Sequence, residues 1–134
     1  MKKNGFTLIE ILIVIVLLGI ISGFAIPSYS KAINKAHEKD TVVQLTAIHA
    51  GNMIYKAQSG SYLTGTNKNL SYVNSNLKLN VIANSATYNY TGASATFAAT
   101  AQYGSFTVKV THAAISSSNP CCNSGSCPSL TACR

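Results

Sequence analysis

The stretch MKKNGFTLIEILIVIVLLGIISGFAIPSYS, residues 1–30, decides how the rest of this chain is read. From Phe6 to Ile26 it is an almost unbroken apolar run whose only polar side chains are Thr7, Glu10 and Ser22. About 20 apolar residues cross a bilayer as a helix, so this segment is expected to span a membrane. Lys2 and Lys3 precede it, which keeps the start of the chain cytoplasmic by the positive-inside rule and sends the rest outward. A charged stub before an apolar run is also the layout of a secretory signal. This run is long for that purpose, and Ser22, Gly23 and Ala25 make a poor small-x-small cleavage site.

Glu10 separates the segment from a plain anchor. A carboxylate at the centre of a membrane helix costs roughly 2.5–3.5 kcal/mol even on mild insertion scales, so an acid there marks a function and needs a partner. No Lys or Arg occurs between Lys3 and Lys31. The partner is therefore expected from outside the segment, a free amino terminus on another subunit being the natural source.

The residues Lys3-Asn-Gly5-Phe6-Thr-Leu-Ile-Glu10 closely resemble the type III signal of type IV prepilins, with further matches at Gly19, Pro27 and Tyr29. The resemblance implies cleavage between Gly5 and Phe6 by a prepilin peptidase, methylation of the new Phe6 amine, and retention of the apolar helix. It implies that Glu10 neutralises the Phe6 amine of a neighbouring subunit during assembly. It also implies that the stretch between Gly19 and Pro27, weakened by Gly19, Gly23 and Pro27, melts or kinks. Glycine adds backbone freedom, and proline removes a donor and crowds the carbonyl four residues back.

After Pro27 a helical rhythm continues to about Gln58. Tyr29, Ile33, Ala36, Val43, Ala47, Ala50, Ile54 and Ala57 recur at steps of 3 and 4, broken at Asp40. Small residues dominate this stripe, which suits the close approach of a sheet. Val42, Leu45 and Ile48 form a second, offset strip. Two apolar sides imply two partners, the chain's own sheet and neighbouring helices. Ser59-Gly60 is the expected stop. A helix from Phe6 to there would be roughly 80 Å long at 1.5 Å per residue, a spine shared between subunits. Lys31, Lys35, Glu38, Lys39 and Asp40 read as a solvated face or as inter-subunit ion pairs, individually weak.

Ser61–Asn80 reads as a loop pinned by Tyr62, Leu70, Tyr72, Val73 and Leu77. Four β-type runs follow, Leu79–Ala83, Ala86–Thr91, Ala95–Gln102 and Ser105–Ala113, broken at Asn84-Ser85, Gly92 and Tyr103-Gly104. The expected fold is α+β: a long N-terminal helix packed against a small, mostly four-stranded antiparallel sheet, with a disulfide-stapled C-terminal loop. Its parts are a cleaved leader (1–5), a membrane and filament-core helix (6–27), an amphipathic helix (28–59), a connecting loop (60–78), the sheet (79–114) and a cysteine-rich end (115–134).

Cys121, Cys122, Cys127 and Cys133 crowd that end. An exported domain sits where disulfides form. Vicinal cysteines rarely bond to each other, which leaves Cys121–Cys127 with Cys122–Cys133, or Cys121–Cys133 with Cys122–Cys127. A zinc site lacks its usual paired spacing and a nearby histidine, so no metal or cofactor is expected. His37, His49 and His112 are scattered and read as packing or surface residues.

The formal charge is +7, or +5 once Lys2 and Lys3 are removed, and no Asp or Glu occurs from Thr41 to Arg134. That excludes paired-carboxylate catalysis and a carboxylate-built calcium site from the region after Asp40. No catalytic residues are assigned. The expected function, implied by the resemblance, is a type IV pilus subunit. It would be staged in the inner membrane, handled by the peptidase and assembly machinery, and built into a homo-oligomeric filament on the cell surface. The alternatives are a type II secretion major pseudopilin, which the absence of late carboxylates argues against in its calcium-bound form, and a minor pilin receiving DNA. The last would need Lys68, Lys78, Lys109 and Arg134 to form one basic stripe, and cations this sparse do not demand it.

Overall fold

The computed structural model describes residues 6–134, with the backbone alone at 24–27. The expected leader, 1–5, lies outside the described residues. The elements are α1 (Leu8–Ser59), β1 (Gly65–Lys68), α2 (Leu70–Leu77), β2 (Thr87–Gly92), β3 (Phe97–Tyr103), β4 (Phe106–Thr111) and β5 (Cys121–Ser124). The chain divides into two compact units, Met1–Asn34 and Lys35–Arg134. The described part of the first is α1 as far as Asn34 and the two residues before it. The second holds the rest of α1, α2 and the whole sheet. The fold is α+β, as the sequence predicts.

The sheet is an antiparallel meander of five strands in chain order, β1-β2-β3-β4-β5. Alternation in β2, β3 and β4 sends Tyr88, Tyr90, Phe97, Ala99, Ala101, Phe106, Val108 and Val110 into one core, the period-2 signature of a half-buried sheet. Leu45 and Ile48 of α1 belong to the same core. Two glycines have steric work to do. Gly60, in the left-handed region at φ 81°, donates its N–H to Lys56 O at 2.8 Å and closes α1 where expected. At Gly92, any Cβ would collide with Leu63 O.

Four expectations change. First, the sheet packs on the second strip of α1, not the first. Glu38, Thr41, Leu45, Ile48, His49 and Asn52 are buried, whereas Tyr29, Val43 and Ile54 are well exposed. Four of these six buried residues are polar, so apolar periodicity alone does not mark the face. Second, Leu79–Ala83 is not a strand. The Asn74 amide takes both backbone groups of Val81, donating to its O at 2.8 Å and accepting from its N at 3.1 Å, and so stands in for a neighbouring strand. Third, the expected loop contains β1 and α2. Asn69 caps α2 by accepting from Tyr72 N at 3.0 Å, and Val73 and Leu77, one turn apart, are buried. The sequence LSYVNSNL has weak helix propensity, and burial overrides it. Fourth, the cysteine-rich end contributes β5, paired to β4 through Val108↔Cys122 and Lys109↔Cys121.

Two core tyrosines differ in how their hydroxyls are met. Tyr90 Oη, on a side chain only 1% exposed, lies 2.7 Å from both Asn52 Oδ1 and Leu63 O. Tyr88 Oη is buried with no hydrogen-bond partner among the described residues. A buried polar atom left unmatched costs about 1–3 kcal/mol. Tyr90→Phe is therefore expected to lose about 1–3 kcal/mol, because it strands an acceptor. Tyr88→Phe is expected to be neutral or to gain about 1 kcal/mol. Chemical denaturation of the full chain in detergent micelles checks the opposite signs.

Burial pushes the Tyr88 phenol up to about 12, with the negative charge of Asp40 adding to it. A phenol raised in the folded state stabilises the fold fully below its unfolded value near 10 and loses that contribution as pH climbs toward the folded value. Stability is therefore expected to fall between about pH 10 and 12, and to fall less in Tyr88→Phe, by the same denaturation assay.

Candidate functional site

The described N-terminal site begins at Phe6, whose side chain is 84% exposed. Thr7 is the N-cap of α1: its carbonyl accepts the first helical bond from Ile11 N at 3.4 Å. Its hydroxyl accepts from Glu10 N at 3.3 Å, while Glu10 Oε2 accepts from Thr7 N and from Thr7 Oγ1, each at 2.8 Å. This is a capping box, in which the cap and the residue three positions on satisfy each other's orphan donors. The sequence carries its signature, Thr-x-x-Glu before an apolar run. That local signal is separate from the cost of the carboxylate in lipid, which by itself points only to an outside partner. Among the described residues Glu10 bonds only to Thr7, through Oε2, so Oε1 stays open to a further donor.

Beyond the box, every described side chain of the first unit is exposed. The apolar run from Leu8 to Ile21 is exposed all round, and α1 is long and apolar enough to cross a membrane. A helix apolar on every side needs lipid or other helices around it. Ser22 turns its hydroxyl back onto Leu18 O at 2.7 Å, which satisfies it without an outside partner. Of the residues expected to melt or kink, Gly19 and Gly23 have nothing within 4 Å of where a Cβ would stand. Packing within the subunit does not require glycine at either position. The backbone of α1 runs as helix through Gly19, Gly23 and Pro27.

The four cysteines form Cys121–Cys133 and Cys122–Cys127, one of the two pairings the sequence leaves open. Ser129, in the segment between Cys127 and Cys133, donates its backbone N–H to both carboxylate oxygens of Glu38, at 3.0 and 3.2 Å. Glu38 is only 1% exposed. It is thus not part of a solvated face, among the described residues it has no ion-pair partner, and it fastens the cysteine-rich end to α1. Asp40, from the same face, accepts from Asn84 Nδ2 at 3.0 Å.

Asn119 is the other fastening. Its Oδ1 accepts from Thr111 N at 3.0 Å and its Nδ2 donates to Ala113 O at 2.7 Å. The histidines pack, as expected. His49 Nε2 bonds Ala113 O at 2.9 Å and His37 stacks on Tyr103 with ring centres 3.9 Å apart. Among the described residues no group of three His, Cys, Asp or Glu side chains is placed to hold a metal.

Residues 1–26 match the family described as prokaryotic N-terminal methylation motif. The prepilin-type N-terminal motif is therefore present where the sequence resemblance put it. The chain is similar to proteins named type II secretion system core protein G. It is 33% identical over 63 residues to that of Vibrio cholerae serotype O1, covering 47% of this chain and 43% of the relative. Against the Klebsiella pneumoniae protein it is 33% identical over 63 residues, covering 47% and 45%. Against the Escherichia coli K12 protein it is 33% identical over 69 residues, covering 52% and 47%. The chain spans less than half the length of these curated relatives.

Glu38→Ala is expected to cost about 1.5–3 kcal/mol, the range for a hydrogen bond to a charged group. It should also speed hydrogen exchange at the Ser129 amide while leaving the amides of Leu45 and Ile48 protected. Exchange followed by mass spectrometry checks this.

Proposed function

We propose that this chain is a structural subunit of the pilin-like class, not an enzyme, and that it polymerises through α1 after removal of residues 1–5. The observation that carries the reading is the exposed apolar run of α1 with one carboxylate in its first turn, held through Oε2 and, among the described residues, open at Oε1. A prepilin peptidase cuts between Gly5 and Phe6, and the Phe6 amine is methylated. The Thr7 amide survives that cut, so the capping box persists in the mature subunit. Glu10 Oε1 then receives the Phe6 amine of a neighbour.

Magnitudes favour the pairing. Unit charges about 4 Å apart attract by about 4 kcal/mol at an effective dielectric of 20, which matches or exceeds the roughly 2.5–3.5 kcal/mol cost of an acid in the membrane. Gly19, Gly23 and Pro27 give the helix a stretch that can yield when lipid is exchanged for neighbouring helices.

The named relatives support a type II secretion pseudopilin, an inner-membrane precursor assembled into a filament within the envelope. This reading displaces the surface pilus as the leading one. The pilus subunit stands second, favoured by the acid-free chain from Thr41 to Arg134, which offers no carboxylates for the calcium-bound pseudopilin pattern.

Glu10→Ala is expected to insert and be processed normally, with intact-mass measurement showing loss of residues 1–5, but to assemble at least about tenfold less filament, about 1.4 kcal/mol or more. Normal filament yield from this variant would overturn the mechanism. Deleting the chain in its native host is expected to block protein export across the outer membrane. Loss of surface fibres with export intact would select the second reading.

A further inference from the structure

The face of the sheet turned away from the core is hydroxyl-rich and carries no acid. Register across β2, β3 and β4 sets Asn89, Thr100 and Lys109 in one outward row, and Thr91, Ala98 and Thr111 in the next. Neighbouring strands stand about 4.8 Å apart, so these side chains form a flat grid. Two hollows lie against it. One, of about 170 Å3, is lined by Lys109, Thr111, Ser118, Arg134 and the Cys121–Cys133 disulfide. The other, of about 520 Å3, shares Lys109 and Thr111 and extends to Thr66, Thr91 and His112. That volume falls within the roughly 300–1,000 Å3 usual for small-ligand sites.

The two cations are brought to one hollow by the fold. Cys121 pairs with Lys109 across the β4–β5 ladder, Cys133 is bonded to Cys121, and Arg134 follows Cys133. No acidic side chain lines this hollow; the acidic side chains of the second unit are elsewhere, Glu38 on Ser129 and Asp40 on Asn84. Arg134 and Lys109, lining one hollow, supply a planar fork and a point charge for a carboxylate or sulfate. The surrounding threonine hydroxyls both donate and accept, which matches sugar hydroxyls.

Nucleic acid fits less well. The exposed side chains of the two hollows include no tyrosine, tryptophan or phenylalanine on which bases could stack, Phe97 being buried. The other cations proposed for a basic stripe lie outside both hollows, Lys68 over the Tyr72 ring and Lys78 at the end of α2. Two cations fall far short of the phosphate contacts a duplex needs.

We infer that this outer face is a binding site for an acidic oligosaccharide, its carboxylate or sulfate held by Lys109 and Arg134 and its ring hydroxyls met by Thr111, Thr91 and Thr66. The site stands on the second unit alone and does not depend on how α1 assembles.

The test uses the full chain in a polyoxyethylene detergent at low salt, with three probes: a hexamer of a uronic acid, a neutral hexose hexamer and a short DNA duplex. Calorimetry is expected to detect the uronate alone, and amide shifts on its addition should centre on Lys109, Thr111 and Arg134. Lys109→Gln and Arg134→Gln, which keep the stems of these surface residues, should each weaken binding about tenfold, while Lys78→Asn, outside both hollows, should not. The inference fails if the uronate does not bind, if both glutamine variants bind it as well as the parent, or if the neutral hexamer or the duplex binds as tightly.

Discussion

An exposed helix with apolar side chains on all faces is the constraint under which this molecule is built. Such a helix is unstable in water and stable in lipid or among its own kind. The same α1 continues as the buried wall of a β-domain, so one continuous element serves two surroundings. The change is written in its residues. Apart from Glu10 and Gly19, leucine, isoleucine and valine fill Leu8–Ile21, whereas the buried face after Lys35 mixes Leu45 and Ile48 with Glu38, Thr41, His49 and Asn52. The first part binds without direction. The second binds at chosen points.

Those points are polar, and they repeat one device. Glu38 on Ser129, Asn74 on Val81, Asn119 on Thr111 and Ala113, His49 on Ala113 and Tyr90 on Leu63 each join a side chain to the backbone of a segment outside regular structure or at its edge. Backbone groups without a ladder partner must be satisfied somewhere. Here asparagine, glutamate and histidine satisfy them. Each bond contributes about 1 kcal/mol net, but the loss of one leaves a buried group unmet, so the irregular segments are held in place. Two disulfides do the same covalently for the last stretch of chain. A small domain with a modest core is stabilised in this way rather than by apolar burial alone.

The N-terminal site shows the same economy. A carboxylate costly in lipid is also the N3 residue of a capping box, so one of its oxygens is satisfied inside the subunit and the other, among the described residues, is open. That division lets Glu10 serve the folded subunit and remain available to a partner.

The sequence by itself determined whatever rests on local periodicity or on covalent chemistry. It determined the apolar span and the cost of Glu10, the end of α1 at Gly60, the three strands with clear alternation, the pins of the connecting loop and an end rich in disulfides. These signals are carried by residues near each other in the chain. Only the tertiary structure decided which strip of α1 meets the sheet, because polar residues that find distant partners look like surface until the partners are known. The same reason hid α2, the stand-in at Asn74, the fifth strand at Cys121–Ser124 and the choice between two cysteine pairings. Each depends on a contact between segments far apart in sequence, and spacing along a chain does not report distance across a fold.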